Sequence, residues 1–151
     1  MIKVLVVGSI KEQYLKDAIE EYKKRISKYT NIEIIEVKDE GLVEESKAMK
    51  LEEEKLMKHI NEKDYLITLE IEGKQFTSPE FAEKINNIRI ENSNITFVIG
   101  GSYGLTDNIK NKARLHLSFS KMTFPHQLFR VLLLEQIYRA YKINNNESYH
   151  K

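Results

Sequence analysis

The chain has 151 residues and no cysteine, which excludes disulfides, thiolate nucleophiles and cysteine-ligated zinc. Its composition, 41% hydrophobic and 31% charged, is that of an ordinary globular protein. One domain spanning residues 1–151 is expected, with little room for a separate RNA-binding module. No apolar run reaches the ~20 residues of a membrane helix. The run from Met1 to Gly8 lacks the apolar length and cleavage site of a signal peptide, so the expected compartment is the cytoplasm.

The net charge of +1 hides an asymmetry. Glu36 to Glu54 carries eight acids and three lysines, hence −5. Ile109 to Lys151 carries eight Lys or Arg and two Glu, hence +6. The basic third is either a solvated face or a surface for a polyanion.

Val4 to Val7 is a continuously apolar strand ending at Gly8, the pattern of a strand buried on both faces of a parallel sheet. Leu15, Ala18, Ile19, Tyr22, Ile26 and Tyr29 then line one face of a helix. Ile32 to Val37 is the second strand. A charged helix over about residues 46–60 follows, with Met49, Leu56 and Ile60 inward; so thin a stripe predicts a peripheral helix. Tyr65 to Ile71 is the third strand, and Glu72-Gly73-Lys74 reads as a turn. Thr77-Ser78-Pro79-Glu80 is a helix start with a capping box, leading to buried Phe81, Ala82, Ile85 and Ile88. Asn94 to Ile99 is the fourth strand. A short helix capped by Thr106 or Asp107 runs to Lys112, and Leu115 to Phe119 alternates like an edge strand.

The last helix, from Pro125 to Tyr141, has more apolar residues than one face can hold. It must be covered on more than one side, and in so short a chain a second subunit is the expected cover. The tail from Asn144 to Lys151 is polar. Strands alternating with helices imply a parallel α/β sheet whose ligands bind at the carboxyl ends of the strands. Those ends are Leu69-Glu70, Gly100-Gly101 and the loop Phe119 to Phe124.

The run Gly100-Gly101-Ser102-Tyr103-Gly104 is neither a dinucleotide fingerprint nor a phosphate-binding loop. It is a plain strand-to-helix turn or a place where backbone meets ligand. The loop Ser118 to His126 mixes hydroxyls, two Phe, Met, Lys and His. Either it tucks into the core or it wraps an aromatic, partly polar ligand. Glu135 and Arg139 are spaced for a helical ion pair, Arg130 needs a partner, and a terminal Tyr149-His150 would ordinarily fray. No Ser-His-Asp set, zinc spacing or paired-carboxylate motif stands out, which leaves chemistry that relies on positioning.

Thr68 to Lys74, Phe97 to Leu105, Leu117 to His126, and Arg130 to Ala140 followed by Tyr149-His150 together resemble the bacterial ribosomal RNA large subunit methyltransferase H family, of the SPOUT class. The resemblance covers essentially the whole chain. It implies a trefoil-knotted, three-layer α/β/α fold, which pattern reading cannot derive because knots are rare. It implies S-adenosylmethionine as methyl donor, no metal, and a homodimer methylating N3 of a pseudouridine in 23S rRNA of the assembled ribosome. By residue, it implies cofactor contacts at Leu69, Gly100, Phe119, Ser120, Lys121, Met122, Thr123 and Phe124. Arg139, Tyr149 and His150 are the expected catalytic residues, with Glu135 orienting Arg139. Two alternatives remain at this point: a non-catalytic RNA-binding protein and a nucleotide-binding regulator.

Overall fold

The computed structural model describes all residues from 1 to 151. In chain order the elements are β1 (Ile2–Val7), α1 (Gln13–Ile26), β2 (Ile32–Val37), α2 (Glu45–Met57), β3 (Tyr65–Gln75), α3 (Ser78–Glu91), β4 (Ile95–Ile99), α4 (Asp107–Lys112), β5 (Leu115–Ser118) and α5 (His126–Asn144). The strands form one parallel sheet in the order β2-β1-β4-β3-β5. β5 lies at an edge, as its alternation predicts.

Strand alternation sorts the core into two sides. Ile2, Val4, Val6, Ile95, Phe97, Ile99, Tyr65 and Ile67 face α1, α3 and α5. Leu5, Val7, Leu66 and Val98 face α2 and α4 through Leu56 and Ile109. Helices cover both faces, so the architecture is three-layer α/β/α. The Thr77 hydroxyl accepts from the Glu80 amide while the Glu80 carboxylate accepts from the Thr77 amide, which closes the capping box that starts α3.

Three elements depart from the sequence reading. β3 does not stop at Ile71; it runs on to Gln75. Leu69 and Lys74 both sit opposite Leu117, so the intervening residues bulge out of the ladder. Gly73 is therefore no turn residue: a Cβ there would lie 2.6 Å from the His116 carbonyl oxygen, so only glycine lets the returning strand approach β5. In α2 the buried residues are Ala48, Glu52 and Leu56, Met49 is half-buried, and Ile60, also half-buried, lies beyond the helix, which ends at Met57. Finally, α5 packs between α1 and α3 of its own chain, which supplies most of the cover that its apolar excess demands. Leu128 stays 41% exposed, and Val131 and Leu132 stay half-buried.

Candidate functional site

A cleft of about 600 Å³ opens at the carboxyl ends of β3, β4 and β5. One wall is the bulge of β3: Leu69, Glu70, Ile71 and Glu72. The second is the glycine run, Gly100 to Gly104, with Lys110 from α4 behind it. The third is the loop after β5, with His126 and Phe129 at the start of α5.

The glycine wall owes its shape to backbone packed on backbone. A Cβ at Gly100 would lie 2.7 Å from the Gly104 carbonyl carbon, and Gly101 and Gly104 form an isolated bridge. Gly104 itself has φ +82°, where a side chain is strained. The acidic segment steadies this wall from behind. The Glu53 carboxylate accepts from the Thr106 hydroxyl. Glu52 is 3% exposed; one of its oxygens accepts from the Glu40 amide, and the other has no partner and lies 3.2 Å from where a Cβ on Gly101 would sit. Burial pushes the Glu52 carboxyl above the usual range.

The third wall is held by hydroxyls and rings. The Ser118 hydroxyl bridges the Ile71 and Ser120 carbonyls at 2.8 and 3.1 Å, and the Ser120 hydroxyl accepts from the Met122 amide at 3.0 Å. Phe119 meets Phe129 edge-on at 5.0 Å, and Phe124 stacks on Phe129 at 6.0 Å. Its phenylalanines pack against α5, as the first reading of this loop expects, although Met122 stays 74% exposed; its backbone and rings line the cleft.

Of the eight residues expected to contact cofactor, Leu69, Gly100, Phe119, Ser120, Met122, Thr123 and Phe124 line the cleft. Lys121 is exposed and does not line it. The strand-end reading names Glu70, and the glycine run takes in Ser102 and Tyr103; Lys110 and Phe129, which also line the cleft, are not singled out from the sequence. Lys110 sits in a helix too short to show a face. The cleft fits an adenosyl ligand in kind: its size is ordinary for a cofactor, with aromatic rings at one part and charged groups at another. No three His, Asp or Glu side chains converge anywhere to hold a metal.

Arg139, Tyr149 and His150 also come together, but elsewhere. Arg139 donates to Glu135 and to Nδ1 of His150 at 3.1 Å, and its guanidinium lies 4.8 Å from the Tyr149 ring centre. The Tyr149 hydroxyl donates to Glu135 at 3.1 Å, and its ring packs edge-on against Tyr138 at 4.9 Å. Glu147 is tied to Tyr29 and Lys142 at 2.9 Å each. The tail is thus folded back on α5 of its own chain and is not frayed. Thirteen residues of helix separate His126 from Arg139, about 20 Å along the axis. Within one chain, this cluster and the cleft lie at opposite ends of α5.

A parallel three-layer sheet with a backbone-built cleft at its carboxyl edge defines a class of ligand-binding α/β protein, and that class is the SPOUT methyltransferases: the family description "Predicted SPOUT methyltransferase" matches residues 1–150. A solved structure, "a probable methylase family protein from Haemophilus influenzae Rd KW20", shares the fold with TM-score 0.58 at 17% identity, covering 99% of this chain and 70% of that one. The chain is 52% identical to the ribosomal RNA large subunit methyltransferase H of Caldicellulosiruptor saccharolyticus over 100% of both chains. It is 51% identical to that of Clostridium botulinum (strain Kyoto / Type A2) over 99% of both. This chain belongs to the ribosomal RNA large subunit methyltransferase H family, and it is an enzyme.

Proposed function

We propose that the chain methylates N3 of a pseudouridine in 23S rRNA of the assembled ribosome, as a cytoplasmic homodimer that takes its methyl group from S-adenosylmethionine. The observation that carries this reading is the cleft, lined by seven of the eight residues expected from the family resemblance. When bound there, the donor supplies an electrophilic methyl group. The glycine wall and the loop Phe119 to Phe124 hold and orient it, with no metal required of the site.

The nucleophile is the N3 of an imide, which gives its proton to solvent water before the nitrogen takes the methyl group and S-adenosylhomocysteine leaves. Arg139 keeps its charge, since the Glu135 hydrogen bonds raise its pKa. Burial first, and then Glu135, push the Tyr149 phenol up to about 12, so it stays protonated. A guanidinium only donates, so Nδ1 of His150 accepts from Arg139 and the proton of a neutral ring sits on Nε2. This cluster is a cationic donor set that stabilises the N3 anion; it is not a set of strong bases.

Cleft and donor set lie about 20 Å apart along α5 of one chain. A symmetric dimer whose α5 helices pack antiparallel across Leu128, Val131 and Leu132 brings the donor set of one protomer towards the cleft of the other. The test is methyl incorporation into ribosomes with mass spectrometry of the modified base. Label on any other base, or none, sinks the reading. For the dimer, mixed Gly100→Val and Arg139→Ala protomers regain methylation that neither variant has alone; failure to complement refutes the shared site.

A further inference from the structure

The cleft contains one charged pair that the reading above leaves unused. Glu70 begins the β3 bulge, and Lys110 reaches the same wall from α4. One Glu70 oxygen, Oε2, is committed: it accepts from the buried Thr68 hydroxyl at 2.6 Å and from Nδ1 of His116. Its other oxygen, Oε1, accepts no hydrogen bond; the Lys110 ammonium is 3.8 Å away, beyond hydrogen-bonding range. The two side chains are 17% and 37% exposed, so both keep open faces. Burial alone would push the Glu70 carboxyl up, but Thr68, His116 and Lys110 together hold it below the usual carboxylate range. Glu70 is therefore an ionised, fixed group with one free oxygen.

An anion and a cation side by side, each with a free face, match a ligand group that carries both charges. A singly charged or neutral group would leave one of the two unmatched. The phenylalanine part of the cleft packs with the α1–α3–α5 side of the sheet, whereas Lys110 belongs to α4 on the other side. The cleft thus presents rings across from charges. We propose that Glu70 Oε1 and Lys110 Nζ clamp the zwitterionic amino-acid end of the methyl donor, Glu70 taking its ammonium and Lys110 its carboxylate, while the ring-lined part takes its base. Thr68 and His116 act as positioning residues that aim Oε1. This clamp rests on the cleft being the methyl-donor site.

The test is titration calorimetry of the full-length protein with S-adenosylmethionine, S-adenosylhomocysteine and 5′-methylthioadenosine. The last keeps the nucleoside and lacks the amino-acid end. Glu70→Gln and Lys110→Met should each weaken both amino-acid ligands about tenfold or more, the scale of one charge-assisted contact. Both variants should bind methylthioadenosine as the wild type does, which also verifies their fold. Unchanged binding of all ligands overturns the clamp. Equal weakening of all three overturns it in favour of a ribose contact, and weakening of S-adenosylmethionine alone in favour of a sulfonium contact. If the wild-type protein binds none of the three, the donor site itself is misassigned and the clamp falls with it.

Discussion

The two ends of α5 are built from different materials. At its start, His126 and Phe129 border a cleft whose walls are mostly backbone, glycine and packed rings. At its far end, Glu135, Arg139, Tyr149 and His150 form a compact set of hydrogen-bonded, charged and aromatic side chains. Backbone walls give shape and survive little change in volume. A side-chain network gives charge and can be altered one group at a time. On the reading proposed above, one end holds the cofactor and the other stabilises an anion, so mutations should separate the two tasks.

The largest effect is expected at the cleft. Gly100→Val must force open the contact with Gly104, where a Cβ meets backbone at 2.7 Å and no flexible side chain can yield. Calorimetry should show cofactor affinity reduced by about 100-fold or more, the scale of combined strain and overpacking. Normal affinity would mean that the glycine wall does not shape the site.

Next comes the far end. Deleting Tyr149, His150 and Lys151 should cut ribosome methylation by about 100-fold, because the reacting base loses its positioning. Cofactor affinity should not change. Stability should fall by about 1 kcal/mol with the loss of the edge-on Tyr138–Tyr149 pair. Loss of cofactor binding in the same preparation would merge the two ends into one site.

Arg130, one turn into α5, sharpens the comparison through stability. It is 3% exposed and donates to Glu36 at 2.6 Å and to the Gly8 carbonyl at 3.3 Å. Glu36 is 41% exposed. Glu36→Ala strands a buried cation, while Arg130→Met leaves a carboxylate that can reach water. Removing the acid should cost more, though less than the roughly 3–5 kcal/mol of a fully buried pair. Equal costs in urea unfolding would show that Arg130 acts only by packing.

The smallest effects are in pH. Tyr149 has a folded pKa near 12 against 10.0 unfolded. The folded state then holds the proton more tightly, so its stabilisation is complete below pH 10 and is lost between about 10 and 12. Tyr149→Phe should remove that alkaline slope, and wild-type methylation should show no tyrosinate step near pH 10. Glu52, also raised, contributes stability below the usual carboxylate range and loses it as pH rises. Glu52→Gln should therefore be more stable than the wild type at pH 8; a loss there would mean that the carboxylate is needed behind the glycine wall.

Much of this was legible in one dimension. Hydropathy period together with helix caps located the strands and helices, because burial on one face or two writes itself into residue spacing. The strand-end rule located Leu69, Gly100 and the Phe119 loop, because in a parallel sheet the carboxyl ends share one edge. Glu135 with Arg139 was legible because helical neighbours recur at four residues. The ordinary behaviour of a polar terminus, to fray, is not what the tail does, and nothing local announces that Tyr149 will find Tyr138 and Glu135.

What the amino-acid order determined by itself was the local part: element types, the α3 cap, the cleft edge and the segregation of charge. What only the tertiary structure decided were pairings between segments far apart in the chain. Arg130 meets Glu36 across 94 residues, and Glu70 meets His116 across 46. The return of β3 to β5 turned an apparent Glu72-Gly73-Lys74 turn into a bulged strand. Propensity is a property of neighbours in sequence, whereas a charged group's partner and a strand's register are chosen by whatever the sheet brings within a few ångströms.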